Sequence, residues 1–364
     1  MATESYLITG GCGLQGSSIV ETLRAKFPEA KVAVVTRNPT VNIFEGVTYH
    51  RGDIRDAPFI ASCLAECKPT VVFHCAATVV GARKHVSDET VRSINVDGTR
   101  VLLEQCAKAG TKAFVFTSSV SVIQKPGVIV SDADETWPLI GDSDTKALIY
   151  PRTKAESERL VTAADDPDGM RTASLRPSAI HGERDNDVTP IIMRTSAMKG
   201  LQIGENKTRF ATTYVGNSTQ AHLLAAEKLL SPDPDVRNAV GGQAFFVTNG
   251  AEHSYYDFSR TIWKYAGVGD GPGSPEYENV RVVPTNVAMW VAWACEWWGW
   301  AWGTPPVIST VAVGICTMER WYKIGKAERL LGYHPSVGWE EGCRRAAKWY
   351  LEHGNKTEED AKTK

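Results

Sequence analysis

At 364 residues the chain is long enough for one large domain or two ordinary ones, and 43% hydrophobic with 23% charged residues is the balance of a globular protein with a core. A formal net charge of −2 excludes a strong pull toward nucleic acid, and no run of Lys and Arg with interleaved aromatics appears. The eight cysteines (12, 63, 67, 75, 106, 295, 316 and 343) form no CxxC pair, so no metal site is expected, and several read as small buried thiols in a reducing compartment.

The N-terminus, Met-Ala-Thr-Glu-Ser, has no basic or apolar leader region, so a cytoplasmic location is expected. Short β-branched or apolar runs follow at residues 6–9, 31–36, 70–74, 112–117 and 172–176, with a weaker one at 47–50. Between them, helical spacing occupies 16–27, 57–67, 90–109 and 150–164. Strands that alternate with helices predict βαβ units, hence an α/β, Rossmann-type doubly wound parallel sheet. Runs such as Val71-Val72-Phe73 agree, because a parallel sheet is covered on both faces.

Thr9-Gly10-Gly11-Cys12-Gly13-Leu14-Gln15-Gly16 follows the first strand and opens the first helix. Gly10 allows the tight turn, Gly13 lets a pyrophosphate approach the backbone, and Gly16 lets helix and strand pack closely. The loop, with Leu14 and Gln15 inside it, is read as a dinucleotide cradle in which the helix N-terminus faces the phosphates. The second strand ends Thr36-Arg37, with no acid in the position that usually accepts from a ribose 2′-hydroxyl. Arg37 can instead pair with a 2′-phosphate and Thr36 can add a hydroxyl. NADP(H) is therefore favoured, with NAD(H) as the alternative; the plainer reading of Arg37 is a solvated charge at a strand end. Asp53-Ile54 stands where an acid can accept from an adenine amino group, and Ala76-Ala77 leaves room for the adenosine ribose.

Tyr150 and Lys154 are four residues apart, on one helix face. A nearby ammonium and a positive nicotinamide ring would favour the phenolate, so Tyr150 is the expected proton donor and acceptor while hydride moves. Lys154 is also expected to hold the nicotinamide ribose. Thr117-Ser118-Ser119 ends the fifth strand; Ser119, with Ser118 second, is expected to bond the same substrate oxygen as Tyr150. Asn95, in the preceding helix, is a candidate holder of a proton-relay water. His74, His85, His181 and His222 do not cluster in sequence and read as structural. Asp132, Asp134 and Glu135 read as a solvated acidic loop.

After Pro177 the alternation breaks, and a smaller α+β substrate-binding portion is expected over 181–354, after a dinucleotide-binding domain at 1–180 and before a polar tail at 355–364. Within it, 286–318 is apolar and holds six tryptophans: Trp290, Trp293, Trp297, Trp298, Trp300 and Trp302. The first reading is a helical hairpin buried in the core. The others are a wall or lid of an apolar pocket, and a helix in a membrane interface, where Trp is favoured. The run is too short and interrupted for a spanning helix.

These motifs resemble the extended short-chain dehydrogenase/reductase superfamily and, within it, the 3β-hydroxysteroid dehydrogenase and sterol-4α-carboxylate 3-dehydrogenase family. The resemblance spans nearly the whole chain, through Asn95-Val96-Asp97-Gly98-Thr99, Leu175-Arg176-Pro177-Ser178, Thr213-Tyr214-Val215-Gly216-Asn217 and Leu331-Gly332-Tyr333. It implies a Ser119–Tyr150–Lys154 triad, nicotinamide contacts from Pro177 and Ser178, and hydride exchange with a hydroxyl or ketone on a bulky apolar sterol, terpenoid or polyketide-like molecule. It also implies a homodimer through the helices holding Asn95 and Tyr150, and a substrate delivered from a membrane such as the endoplasmic reticulum. Two departures stand out: Thr36-Arg37 replaces an acid, which favours a ketoreductase drawing on NADPH, and Gly216 replaces an acid common in the family's Tyr-Val-Asp-Asn motif. A nucleotide-sugar epimerase or dehydratase is the alternative enzyme, disfavoured by the Trp-rich C-terminal portion. A non-catalytic cofactor sensor is disfavoured by the presence of both Tyr150 and Lys154.

Overall fold

The computed structural model describes residues 4–78, 86–125, 127–141, 143–304 and 306–362, without the side chains of 355–362. Among the described residues, thirteen strands form: β1 (Ser5–Thr9), β2 (Lys31–Thr36), β3 (Val47–Arg51), β4 (Val71–His74), β5 (Ala113–Thr117), β6 (Val130–Ala133), β7 (Arg171–Pro177), β8 (Ile180–His181), β9 (Leu201–Ile203), β10 (Thr213–Tyr214), β11 (Gln243–Val247), β12 (Arg281–Val283) and β13 (Arg320–Tyr322). Seven of them make one sheet in the order β11-β7-β5-β4-β1-β2-β3, every pair parallel. The remaining six pair two by two, β10 with β8, β12 with β9 and β13 with β6.

Alternation along the strands fills both faces. Ile8, Val34, Phe73 and Val115 point into one apolar cluster, and their neighbours Leu7, Val35, Val72 and Phe114 into the other. The first face is covered by α1 (Leu14–Lys26) and, from the second half of the chain, by Val215–Leu229. The opposite face is covered by α2 (Ala57–Cys67), the helical stretch from α3 (Asp88–Arg92) to α4 (Gly98–Ala109), and α5 (Ile149–Ala163).

The chain runs outward from β1 to β3, then returns past β1 and continues the other way from β4. The order therefore reverses between β1 and β4, and the carboxyl ends of these two strands open a crevice where open α/β sheets bind ligands. The glycine loop after β1 and Ala76-Ala77 after β4 both lie there.

The division at residue 180 is not how the sheet is built. Gln243–Val247 returns to pair with β7, so the dinucleotide-type sheet draws its last strand, and one of its covering helices, from beyond residue 180. The helix expected at 90–109 is interrupted by a π-turn at Ser93–Asp97. The extra residue in that turn rotates Asn95 toward the loop after β4, where its side chain bonds Thr78.

The tryptophan segment forms two helices, Thr285–Trp302 and Thr310–Thr317, joined into a hairpin by the Glu296 carboxylate, which accepts from the Thr310 amide (2.8 Å) and hydroxyl (2.9 Å). It is not buried in the core. Trp300 is 82% exposed, Trp290 71%, and the other four between 53% and 58%. Only Ala288, Ala292 and Gly299 of the longer helix are buried, the two alanines packing with Ile203 and Val313. The apolar residues run all the way round this helix, so the protein can cover only one side of it. No helix among the described residues is long and apolar enough to cross a membrane.

Candidate active site

The crevice is shaped by backbone. Gly10 has φ +69°, and a Cβ there would lie 2.9 Å from Ala76 Cα, so the loop after β1 touches the loop after β4. A Cβ at Gly16 would lie 2.4 Å from the Gly10 carbonyl oxygen. At Gly13 it would meet only that same oxygen, at 3.3 Å, so the backbone is open on this side. Gly13 caps α1 without a side-chain hydrogen bond, which leaves the helix N-terminus to an anion. These features fit a dinucleotide pyrophosphate. Leu14 is half-buried, and the buried Gln15 donates to Thr219 (3.1 Å) while its carbonyl oxygen stays buried without a partner.

Where the sequence reading expects the adenosine end, Thr36 is half-buried and bonds the Cys12 thiol, and Arg37 is exposed. The Asp53 carboxylate takes two bonds from the Arg55 guanidinium (2.9 and 2.7 Å) and one from its amide (2.9 Å), and this pairing holds it below the usual carboxylate range. Ile54 is buried against Gly98, while Ala76 and Ala77 are partly exposed in the crevice.

The structure brings Ser119, Tyr150 and Lys154 together at the ends of β5 and the start of α5. Ser119 caps a short 3₁₀ turn, Val120–Ile123, and its hydroxyl oxygen accepts from the Ser121 amide (3.1 Å) and hydroxyl (2.9 Å). The Tyr150 hydroxyl bonds Ser119. Burial pushes the Tyr150 phenol up to about 12, the Ser119 bond opposing it and Asp187 adding to it. In the protein alone, then, the phenol is raised rather than lowered, because burial outweighs its polar neighbours. Lys154 is buried; its ammonium donates to the Thr117 carbonyl (2.5 Å) and lies 4.1 Å from the centre of the Phe116 ring. Burial lowers it to about 7, against the opposing pull of Cys75 and Glu158.

Asn95 is buried with its carboxamide fully engaged: the oxygen accepts from Thr78 N (2.7 Å), and the amide donates to Thr78 O (3.1 Å) and to Thr153 Oγ1 (3.0 Å). Its backbone carbonyl accepts from Thr99 and Ser157. It thus ties the loop after β4 to α5. Ser118 donates to Glu158 rather than pointing to Tyr150. Pro177 is buried, and Ser178 spends its amide on Thr213 (3.0 Å) and its hydroxyl on the Ala211 carbonyl (2.8 Å).

Two histidines support the site from below. His74 Nε2 meets Thr99 Oγ1 at 2.9 Å, and that hydroxyl donates to the Asn95 carbonyl, so Nε2 carries the proton and Nδ1 accepts from Thr9 (2.7 Å). Thr117 Oγ1 bridges Cys75 Sγ (3.2 Å) and His222 Nε2 (2.8 Å). Burial lowers His74 to about 3, and His181 and His222 to about 4, so all three are neutral polar fillers. His85 lies outside the described residues. The acids are not a solvated loop: Asp132 lies in β6 and pairs with Arg209 (2.9 Å), the half-buried Asp134 accepts from Thr136 N (3.0 Å), and Glu135 is partly buried, its carboxylate accepting from Phe246 N (2.8 Å). Gly216 also has a reason: the Tyr214 ring fills the space, and a Cβ there would come within 2.5 Å of it.

Sequence reasoning missed Glu158 and Arg176, a fully buried ion pair at 2.5 Å. Its signal was present: Glu158 extends the Tyr150, Lys154 stripe by another turn, and a charge in the buried strand Leu175-Arg176-Pro177 demands a partner.

The fold is one that dehydrogenases and sugar-nucleotide epimerases share; the relatives make this chain an NAD(P)-dependent oxidoreductase of the extended short-chain type, acting on a hydroxyl or a ketone. Residues 7–273 match the 3-beta hydroxysteroid dehydrogenase/isomerase family, and the chain belongs to it. It is 33% identical over 358 residues to the decarboxylating sterol-4-alpha-carboxylate 3-dehydrogenase of Saccharomyces cerevisiae, covering 95% of this chain and 97% of that one. It is 28% identical to the 3 beta-hydroxysteroid dehydrogenase/Delta 5→4-isomerase of Mycobacterium tuberculosis, over 95% of this chain and 90% of the relative. Among solved structures, the UDP-glucose 4-epimerase of Thermotoga maritima (TM-score 0.70, 20% identity, 96% of this chain and 99% of that one) shares the fold. So does the enzyme WbmH of Bordetella bronchiseptica in complex with NAD+ (TM-score 0.70, 15% identity, 97% and 100%).

The Lys154 environment predicts a pH dependence of stability. The unfolded chain holds this proton to near the ordinary lysine value of 10.5, and the folded chain releases it near 7. Its contribution therefore grows as pH rises from about 7 to about 10, and is lost as pH falls through about 7. Urea denaturation of wild type and Lys154→Met across that range should show wild type gaining on the variant as pH rises; parallel curves would contradict the assignment.

Proposed function

We propose that this protein oxidises the 3β-hydroxyl of a 4α-carboxylated sterol to a ketone and that the carboxyl group then leaves as CO2. The observation that carries the chemistry is the meeting of Ser119, Tyr150 and Lys154 beside the glycine crevice. The substrate class is supported by end-to-end similarity to sterol-4-alpha-carboxylate 3-dehydrogenases.

Ser119 and Tyr150 hold the substrate oxygen between them, and Tyr150 takes the hydroxyl proton. A bound nicotinamide would accept the hydride from the carbon. Lys154, held by Thr117 and Phe116, holds the ribose and, when charged, favours the Tyr150 phenolate. Oxidation leaves a ketone β to the carboxylate. The bond to the carboxyl carbon then breaks, its electron pair forms an enolate, and Tyr150 returns its proton to that oxygen. The glycine loop, Leu14 and Gln15 hold the pyrophosphate, Asp53, Ile54, Ala76 and Ala77 flank the adenosine, and Pro177 and Ser178 back the nicotinamide. Asn95 acts as a clamp between the loop after β4 and α5.

Exposed Arg37, in a position without an acid, supports NADP(H) over NAD(H). Loss of CO2 drives the oxidation forward, so this preference and the oxidative direction are compatible. The test is purified protein with a 4α-carboxy-3β-hydroxysterol and each oxidised cofactor, following absorbance of the reduced nicotinamide and release of CO2. Turnover with CO2 release is expected, with an NADP preference that Arg37→Ala reduces about tenfold or more. No turnover would overturn the substrate; an NAD preference untouched by Arg37→Ala would overturn the cofactor assignment.

The exposed tryptophan hairpin supports a second element of the reading: contact with the cytoplasmic face of the endoplasmic reticulum membrane, from which an apolar sterol would enter. Wild type should co-sediment with phospholipid vesicles, and a Trp290→Ala/Trp293→Ala/Trp300→Ala variant should stay in solution. Equal partition would rule the contact out. A homodimer through α4 and α5 completes the reading, and sedimentation mass at micromolar concentration would show a monomer if it is wrong.

A further inference from the structure

Glu158 lies on α5 one turn beyond Lys154 and two beyond Tyr150. It is fully buried, and its carboxylate takes bonds from three donor atoms on two residues. Both oxygens accept from Arg176 Nε (3.1 Å each), Oε1 accepts from Arg176 Nη2 (2.5 Å), and Oε2 accepts from Ser118 Oγ (2.5 Å). Arg176 is the last residue but one of β7, and its guanidinium stacks over Phe246 of β11, 5.1 Å from the ring centre. Ser118 also donates its amide to Leu175 O (2.7 Å). One carboxylate thus joins α5 to the ends of β5 and β7.

The residues on either side of Ser118 both serve the reaction. Thr117 offers its carbonyl to the Lys154 ammonium, and Ser119 offers its hydroxyl to Tyr150. A shift of Ser118 by a fraction of an ångström would move both. Glu158 also favours the charged form of Lys154, while the Cys75 thiol, pushed up to about 11 by burial, stays protonated at neutral pH. Nothing about fold stability alone requires this arrangement: a buried ion pair is commonly replaceable by apolar residues without loss, whereas removal of one partner leaves a stranded charge. The pair is well placed to fix geometry at a site where small displacements are costly.

We propose that Glu158 is a positioning residue of the reaction, setting Ser119 and Lys154 against Tyr150 by anchoring Ser118 and Arg176. This rests on the reading of the Ser119, Tyr150 and Lys154 roles given above.

The test uses Glu158→Gln and the double variant Glu158→Leu/Arg176→Leu. Glu158→Gln keeps the shape but turns an N–H toward a donor and removes the charge. Its kcat is expected to fall between about tenfold and a hundredfold, with KM for the cofactor within about twofold. The double variant leaves no stranded charge, so its thermal midpoint should return toward wild type while kcat stays low. Recovery of kcat together with the midpoint, or a Glu158→Gln variant of full kcat, would overturn the proposal. A readout without substrate separates this outcome from a wrong substrate. In protein labelled with [ε-13C]lysine, the Lys154 titration should move to lower pH in Glu158→Gln, and an unmoved titration would overturn the proposal even where no sterol is turned over.

Discussion

The bond from the Lys154 ammonium to the Thr117 carbonyl is the constraint around which the site is arranged. A lysine buried against a sheet must find compensation, because a stranded ammonium costs several kcal/mol. Here it finds a carbonyl at 2.5 Å, an aromatic face at 4.1 Å and a carboxylate one turn along its own helix. Meeting that requirement presses α5 onto the end of β5. The same contact delivers Tyr150, one turn earlier, to Ser119, one residue past Ser118. Geometry and charge therefore come from a single packing decision.

That decision is possible because of the sheet. Strand order reverses between β1 and β4, so two loops separate and leave a crevice, and Gly10 lets them touch again at its floor. Thr9, His74 and Thr99 then run as a buried hydrogen-bonded line from the glycine loop to the π-turn that carries Asn95. The glycine loop and the π-turn, whose Asn95 bonds α5, are thereby connected through neutral polar groups that need no counter-charge.

The first half of the fold was legible because its signals are local. Alternating strands with continuous apolar runs, a glycine loop at the first turn, and Tyr150 four residues before Lys154 each leave a mark within a few positions. Gln243–Val247 carries a local signal too, an apolar run much like that of β5, but nothing local places it in the sheet; only pairing with β7, a partner some seventy residues earlier in the chain, does that. Glu158 left a mark one turn beyond Lys154, but its use appears only when Ser118 and Arg176 converge on it. The tryptophans misled in the opposite sense. Helical spacing said that several share a face, which suggested a core, but a helix apolar on every side cannot be covered by one neighbour.

The most direct test of the account follows the hydrogen itself. Protein is mixed in a single turnover with a 4α-carboxy-3β-hydroxysterol carrying deuterium at C3, and transfer of the label to the nicotinamide is timed in wild type and Tyr150→Phe. The account predicts label on the cofactor in wild type, and transfer slowed by about 10²–10⁴-fold in the variant with cofactor affinity unchanged. Transfer at the wild-type rate in Tyr150→Phe would contradict it.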